Sequence, residues 1–296
     1  MRQMVKKILP WAAALATVLV WAETFVSTKI LLNNGLSPAV IFLCRFSIAY
    51  AGVWFFCPKK LFAANVKDEL CFFLLGFIGG TLYFLAENTA LEYSTASNVA
   101  ILVGTAPLVT ALVLGAVYKE EKPGWRQLVG SAITFVGMAL VVLNGQYFLH
   151  LNPRGDILAF GAALCWGFYS LVLKKVSGRY DIVFLTRKVF AYGIVTMALL
   201  FPVSDGKLPD LSVFSSLTVW GNLVYLGLVA SLFCFIAWNW ALTKIGIVRT
   251  TNLLYAQCFF TMAFSAVILG ERITLMAVAG TAILVAGMFI ALKKSL

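Results

Sequence analysis

The chain has 296 residues, of which 61% are hydrophobic and 12% charged, with a mean hydropathy of +0.93. Soluble domains carry about a quarter of their residues as charged side chains, so this composition excludes a water-soluble globular protein and leaves no room for a second, soluble domain. The formal charge of +11 does not point to a nucleic-acid partner, because the basic residues sit in separate short loops, as they do beside an anionic lipid leaflet.

Ten apolar runs follow one another, at 9–31, 39–57, 70–90, 96–118, 128–147, 157–173, 182–203, 217–241, 250–270 and 273–292. Each is near the ~20 residues with which a helix crosses ~30 Å of hydrocarbon. None shows the period-two alternation of a membrane barrel strand. The expected fold class is therefore all-α, a polytopic membrane protein with ten transmembrane helices and the lipid bilayer as its solvent. The first run is too long for a signal-peptide core and continues past Ala22 without a cleavage site, so it reads as a retained helix. With ten spans, sixteen Lys and Arg residues, from Arg2, Lys6 and Lys7 to Lys293 and Lys294, fall on the side of the N-terminus, against Arg154, Lys207 and Arg272 on the other. The positive-inside rule then predicts an inner (plasma) membrane protein with both termini cytoplasmic.

Ionisable groups inside hydrocarbon cost roughly 2.5–3.5 kcal/mol each on insertion scales, and so need a reason. Run one carries Glu23, about 12 Å below its far end, and run two carries Arg45, about 9 Å below the same surface. Their depths suit an ion pair that locks the two helices. They equally suit a binding site in which Glu23 or Glu87, in run three, takes a cationic group or a coupling proton, and Arg45 takes an anionic one. Arg187 and Lys188 in run seven read as anchors that reach the headgroups. Tyr83, Trp166, Tyr169, Trp238, Tyr255 and Gln257 are candidate wall residues of such a site, each with packing as the alternative. Gly104 and Pro107 interrupt run four as a hinge or an inert kink. Gly76, Gly79 and Gly80 permit close approach in run three. Gly130 and Gly137 in run five suit tight helix packing or a dimer contact, and the oligomeric state stays open between monomer and homodimer. The six cysteines have no metal spacing and the single histidine, His150, stands alone, so neither a metal, a cofactor nor an enzyme active site is expected.

The chain repeats itself. Phe42-Leu43-Cys44-Arg45-Phe46-Ser47-Ile48-Ala49-Tyr50 returns 142 positions later as Phe184-Leu185-Thr186-Arg187-Lys188-Val189-Phe190-Ala191-Tyr192. Trp21 matches Trp166; Gly76, Asn88, Ala90 and Leu91 match Gly227, Asn239, Ala241 and Leu242; Gly130 and Gly137 match Gly280 and Gly287. Two copies of a five-helix unit, 1–147 and 148–296, account for this order. Five is odd, so the second copy enters the membrane from the opposite side, giving two inverted five-helix repeats around a midplane site. The acids are not repeated: Glu23 aligns with Phe168 and Glu87 with Trp238.

Four elements, in this order, resemble the drug/metabolite transporter superfamily, specifically its ten-helix EamA-type members. They are Trp21-Ala22-Glu23-Thr24-Phe25, the arginine-bearing second helix, the stretch from Ala90-Leu91 to Ala96-Ser97-Asn98, and Leu269-Gly270-Glu271-Arg272-Ile273-Thr274. Two places depart from the pattern, Tyr118-Lys119-Glu120-Glu121-Lys122-Pro123 and Ala256-Gln257-Cys258. The resemblance implies a secondary transporter that exports small organic metabolites, such as amino acids or amphipathic drug-like compounds, by alternating access. It also implies that helices one to four of each repeat surround the cavity, with five and ten outside. Exchange of nucleotide sugars or phosphorylated solutes is the alternative within the superfamily, and a non-transporting scaffold or receptor the alternative outside it.

Overall fold

The computed structural model describes residues 2–56, 61–143, 152–204, 207–270 and 273–292. His150 and the Glu271-Arg272 pair of the last turn lie outside the described residues. Within them the chain is helical and contains no strand. The helices are α1 (Arg2–Asn33), α2 (Pro38–Trp54), α3 (Val66–Tyr93), α4 (Ala96–Val117), α5 (Trp125–Leu143), α6 (Pro153–Val176), α7 (Ile182–Leu200), α8 (Leu217–Ile245), α9 (Ile247–Ile268) and α10 (Leu275–Leu292). By length and composition α1, α3, α4, α6, α7, α8 and α9 are able to cross a membrane, while α2 and the Leu275–Ala291 part of α10 are shorter apolar helices.

The helix ends differ from the apolar runs for local reasons. Helices α2 and α6 begin at Pro38 and Pro153, where the missing N–H costs nothing. Asn65 caps α3, its side chain accepting from the Asp68 backbone N at 2.8 Å, so the helix starts at Val66, ahead of the apolar run. Asp181 caps α7 in the same way, accepting from the Val183 and Phe184 backbone N–H groups. Between α8 and α9 the chain turns at Gly246, whose φ of 99° only glycine adopts without strain.

Helices α5 and α10 pack backbone to backbone. A Cβ on Gly130 would lie 2.4 Å from the Ala291 N and 2.7 Å from the Gly287 O, and one on Gly137 2.4 Å from the Leu284 N and 2.5 Å from the Gly280 O. Contacts that descend along one helix as they ascend the other make the pair antiparallel. The four glycines are thus consumed by packing inside this chain.

A second correspondence lies in α3 and α8, which both widen into π-helix, at Leu75–Leu82 and Tyr225–Phe233. Each widened stretch packs against the second helix of the other half. Gly76 meets Tyr192 and Gly193 of α7, and Gly227 meets Ile48 and the Arg45 O of α2. Between these contacts Phe46 sits edge-on to Phe190 at 4.9 Å, and Phe190 lies 5.5 Å from Phe235. Those rings fill the middle of the bundle beside the cavity described next.

Candidate functional site

Arg45 is 1% exposed at the centre of the bundle. Its Nε donates to the Ser231 Oγ at 3.0 Å, and its guanidinium carbon sits 4.4 Å from the centroid of the Phe84 ring. Both contacts come from helices the sequence does not place beside it. The π-helical stretch of α8 presents Ser231, and the absence of a side chain on Gly227 lets α8 approach the α2 backbone. Glu87, 3% exposed, lines the same cavity as Arg45. It lies one turn beyond Tyr83 on one face of α3, with the Tyr83 hydroxyl beside its carboxylate. Its carboxylate oxygen Oε2 is buried and has no partner. Burying a charged oxygen without a hydrogen bond is costly, so it marks a place where a donor is missing.

The rest of the wall is aromatic. Trp21 and Trp166 stand edge-to-face at 5.7 Å, and Phe235 lies 5.6 Å from Trp21. The Trp21 Nε1 donates to the Ala230 O at 2.9 Å, whereas the Trp166 Nε1 has no partner. Val103 and Ala106 flank the break in α4, where Gly104 and Thr105 leave the helix and Pro107 brings no N–H. In α9 the 3₁₀ stretch Asn252–Leu254 comes at the matching place; Leu254 reaches the cavity from it and Gln257 from the α-helical turn that follows. Irregular backbone at this depth is tolerated where it lines a cavity. The Gly104 break is also closely packed, since a Cβ there would lie 2.4 Å from the Cys258 Sγ. The cavity holds ≈ 30 Å³, room on the order of one water.

Of the residues singled out from sequence, the structure gathers Arg45, Glu87, Tyr83, Trp166 and Gln257 around this cavity and leaves the others behind it. Trp238 backs Trp21 at 5.0 Å. Tyr169 backs Trp166 at 5.4 Å and lies across Gly79, where a Cβ would come within 2.1 Å of its ring. The hydroxyl of Tyr255 is 3.0 Å from the Ser131 Oγ, joining α9 to α5. Glu23 is half-buried outside the cavity, with the Ser27 Oγ donating to its two oxygens at 2.8 and 3.0 Å and Tyr225 beside it. It makes no ion pair with Arg45. Trp21, Phe84 and Phe235 are wall residues that sequence reasoning did not select. For Trp21 a signal existed, since it is the repeat partner of Trp166.

Arg187 and Lys188 are not headgroup anchors. Arg187 is 2% exposed, with its guanidinium carbon 5.1 Å from the Trp54 ring centroid, and Lys188 pairs with Glu69. Among the described residues no group of three His, Cys, Asp or Glu side chains is placed to hold a metal ion.

The model of the EamA-like transporter family matches residues 9–143 and again 153–293. The chain belongs to that family. An uncharacterized transporter of Archaeoglobus fulgidus is 29% identical to this EamA-like chain over 94% of it and 95% of its own length. A probable terminal-alkyne amino-acid exporter of Streptantibioticus cattleyicolor is 26% identical over 97% of this chain and 94% of its own. For a probable amino-acid metabolite efflux pump of Escherichia coli the figures are 25%, 94% and 92%. A solved crystal structure shares the fold, with a TM-score of 0.71, 17% identity and 98% of both chains covered. The protein is thus a multi-pass membrane transporter of small molecules and not an enzyme.

Proposed function

We propose that this EamA-like protein exports a small amino-acid-like solute from the cytoplasm across the plasma membrane, by alternating access between two inverted five-helix repeats. The observation that carries the reading is that one cavity is lined by both the Arg45 guanidinium and a Glu87 carboxylate with an unpartnered oxygen. A solute that satisfies both is a zwitterion, its carboxylate on Arg45 and its ammonium on Glu87, with an apolar side chain against Trp21, Trp166 and Phe235. The names of the exporter and efflux-pump relatives support the same solute class. The antiparallel α5 and α10, the crossed π-helical contacts and the two family-model matches support the inverted repeats.

At ≈ 30 Å³ the cavity is contracted. Loading it requires the halves to part, and the breaks in α4 and α9 are where the walls yield. Between solute cycles a proton on Glu87 would relieve the same unpaired charge, which makes Glu87 the coupling site.

Proteoliposomes loaded with a neutral amino acid test this. Arg45→Gln and Glu87→Gln each remove a charge-assisted contact worth about 1.5–3 kcal/mol, and so should weaken solute affinity by about 10- to 100-fold. A pH gradient should drive wild type and not Glu87→Gln. Variants at both positions that transport and bind like wild type would overturn the assignment.

A further inference from the structure

Different chemistry closes the two ends of the bundle. At the end where α3 and α7 begin, the side chain of Asp68 is 5% exposed and bonds Arg179 twice, to Nη1 at 2.8 Å and Nη2 at 2.7 Å. The Tyr180 hydroxyl donates to the same carboxylate at 2.6 Å, a bond that holds this phenol above the ordinary tyrosine pKa. Glu69, the next residue, accepts from Lys188, from Tyr192 and, at 2.7 Å, from the backbone N of Ala63. Lys188, whose side chain is 7% exposed, also donates to the Leu61 O at 3.0 Å. A third arm joins Lys174 to Glu121 at 2.6 Å and to Glu120 at 3.5 Å. Apart from the Ala63 bond, every one of these contacts links the first half of the chain to the second.

The opposite end, where α2 and α8 begin, has the same framework and none of these charges. At the repeat offsets, Asp68 and Glu69 correspond to Val219 and Trp220, and Arg179 and Lys188 to Ser37 and Phe46. Val219 is fully buried against Leu31, Leu36, Ile41 and Leu223 in an apolar seam. The polar links between the halves there include Ser37 to the Lys207 O at 3.1 Å and Asn98 to Asp156 at 3.0 Å.

The physics of parting the two ends differs. Separating the apolar seam exposes hydrocarbon to water, which is unfavourable in proportion to area. Separating the charged cluster breaks directional bonds but releases the ions into water, which solvates them and offsets most of the loss. The charged end therefore holds firmly in one geometry and lets go readily once that geometry is lost. We propose that Asp68 and Glu69, with Arg179, Lys188 and Lys174, form an ionic latch that keeps the solute path shut at this end, and that solute enters from this side only when the latch breaks. The inference rests on the alternating-access reading but on no particular solute.

The test is a distance measurement across each end in the full chain, reconstituted in nanodiscs without solute, with native cysteines replaced. Spin labels at Lys67→Cys and Lys175→Cys report the latch end, and labels at Asn34→Cys and Ser212→Cys the apolar end. Asp68→Asn with Glu69→Gln should raise the open-to-closed ratio at the latch end about tenfold, as expected for losing charge-assisted contacts, with the apolar end unchanged. The exchange Asp68→Arg with Arg179→Asp should return the ratio toward wild type. A folded neutral variant whose latch-end distances match wild type would overturn the proposal, since a merely structural staple leaves the populations where they were. If the double variant does not fold, Arg179→Gln, which alters a half-exposed group, decides by the same readout. No solute is present, so the result stands apart from whether Arg45 and Glu87 bind a zwitterion.

Discussion

The ends of this molecule share one framework and close it in opposite ways. Corresponding glycines, π-helical stretches and aromatic rings recur in both halves, yet Asp68 and Glu69 at one end face basic partners while Val219 at the other sits in hydrocarbon. Two identical closures would make the inward-open and outward-open states equal in energy. Here the closures have diverged while the π-helical and glycine contacts have not, so under the alternating-access proposal the bias between states is set at the mouths and the shared mechanics lie in the helix packing. The same divergence appears in the cavity, where Glu87 has an aromatic counterpart, Trp238, in the other half.

The largest way to break the comparison is to place a latch residue in the seam. Val219→Asp buries a carboxylate with no basic partner, and should cost about 3–5 kcal/mol of stability, read as a fall in the thermal unfolding midpoint in detergent. The reciprocal change, Asp68→Val, leaves the half-exposed Arg179 free to turn to water, so only the hydrogen-bond loss of about 1.5–3 kcal/mol remains. Equal costs at the two ends would mean that they do not differ in kind. Gly137→Leu is the control. It drives a side chain into the α10 backbone and should cost about 1–3 kcal/mol, while parting neither end in preference to the other.

How much of this was legible beforehand depends on the axis of the question. The all-helical membrane class followed from composition, and position along each helix from counting residues. Azimuth did not follow, because helices apolar nearly all round carry no marked face. Glu23 and Arg45 agree in depth, yet Glu23 points at Ser27 and Tyr225 while Arg45 turns to the cavity. Lys188 read as a lipid anchor because its partner Glu69 is 119 positions away and in the other half. The repeat carried information about orientation that local pattern did not. Trp21 lines the cavity opposite its own counterpart Trp166, and that pairing was visible in the sequence before any geometry was.

The smallest expected effect sharpens the comparison most, because it separates the arms of the latch from one another. Raising salt from about 0.1 to 1 M shortens the screening length from about 10 to 3 Å. Screening acts on groups that water reaches: Glu120 is 67% exposed and Arg179 53%, while Lys188 is only 7% exposed. Exposed pairs contribute about 0.2–1 kcal/mol, so sodium chloride should raise the open-to-closed ratio at the latch end by about two- to fivefold in the spin-label measurement and then level off, with the Lys188–Glu69 arm still closed. Lys174→Gln should flatten part of that response, and Glu69→Gln should not. The Val219 seam at the apolar end is built from hydrocarbon side chains, and the distance distribution there should stay as it is. A widening there, or a latch end indifferent to salt, would mean that burial and not ionic contact closes both ends alike.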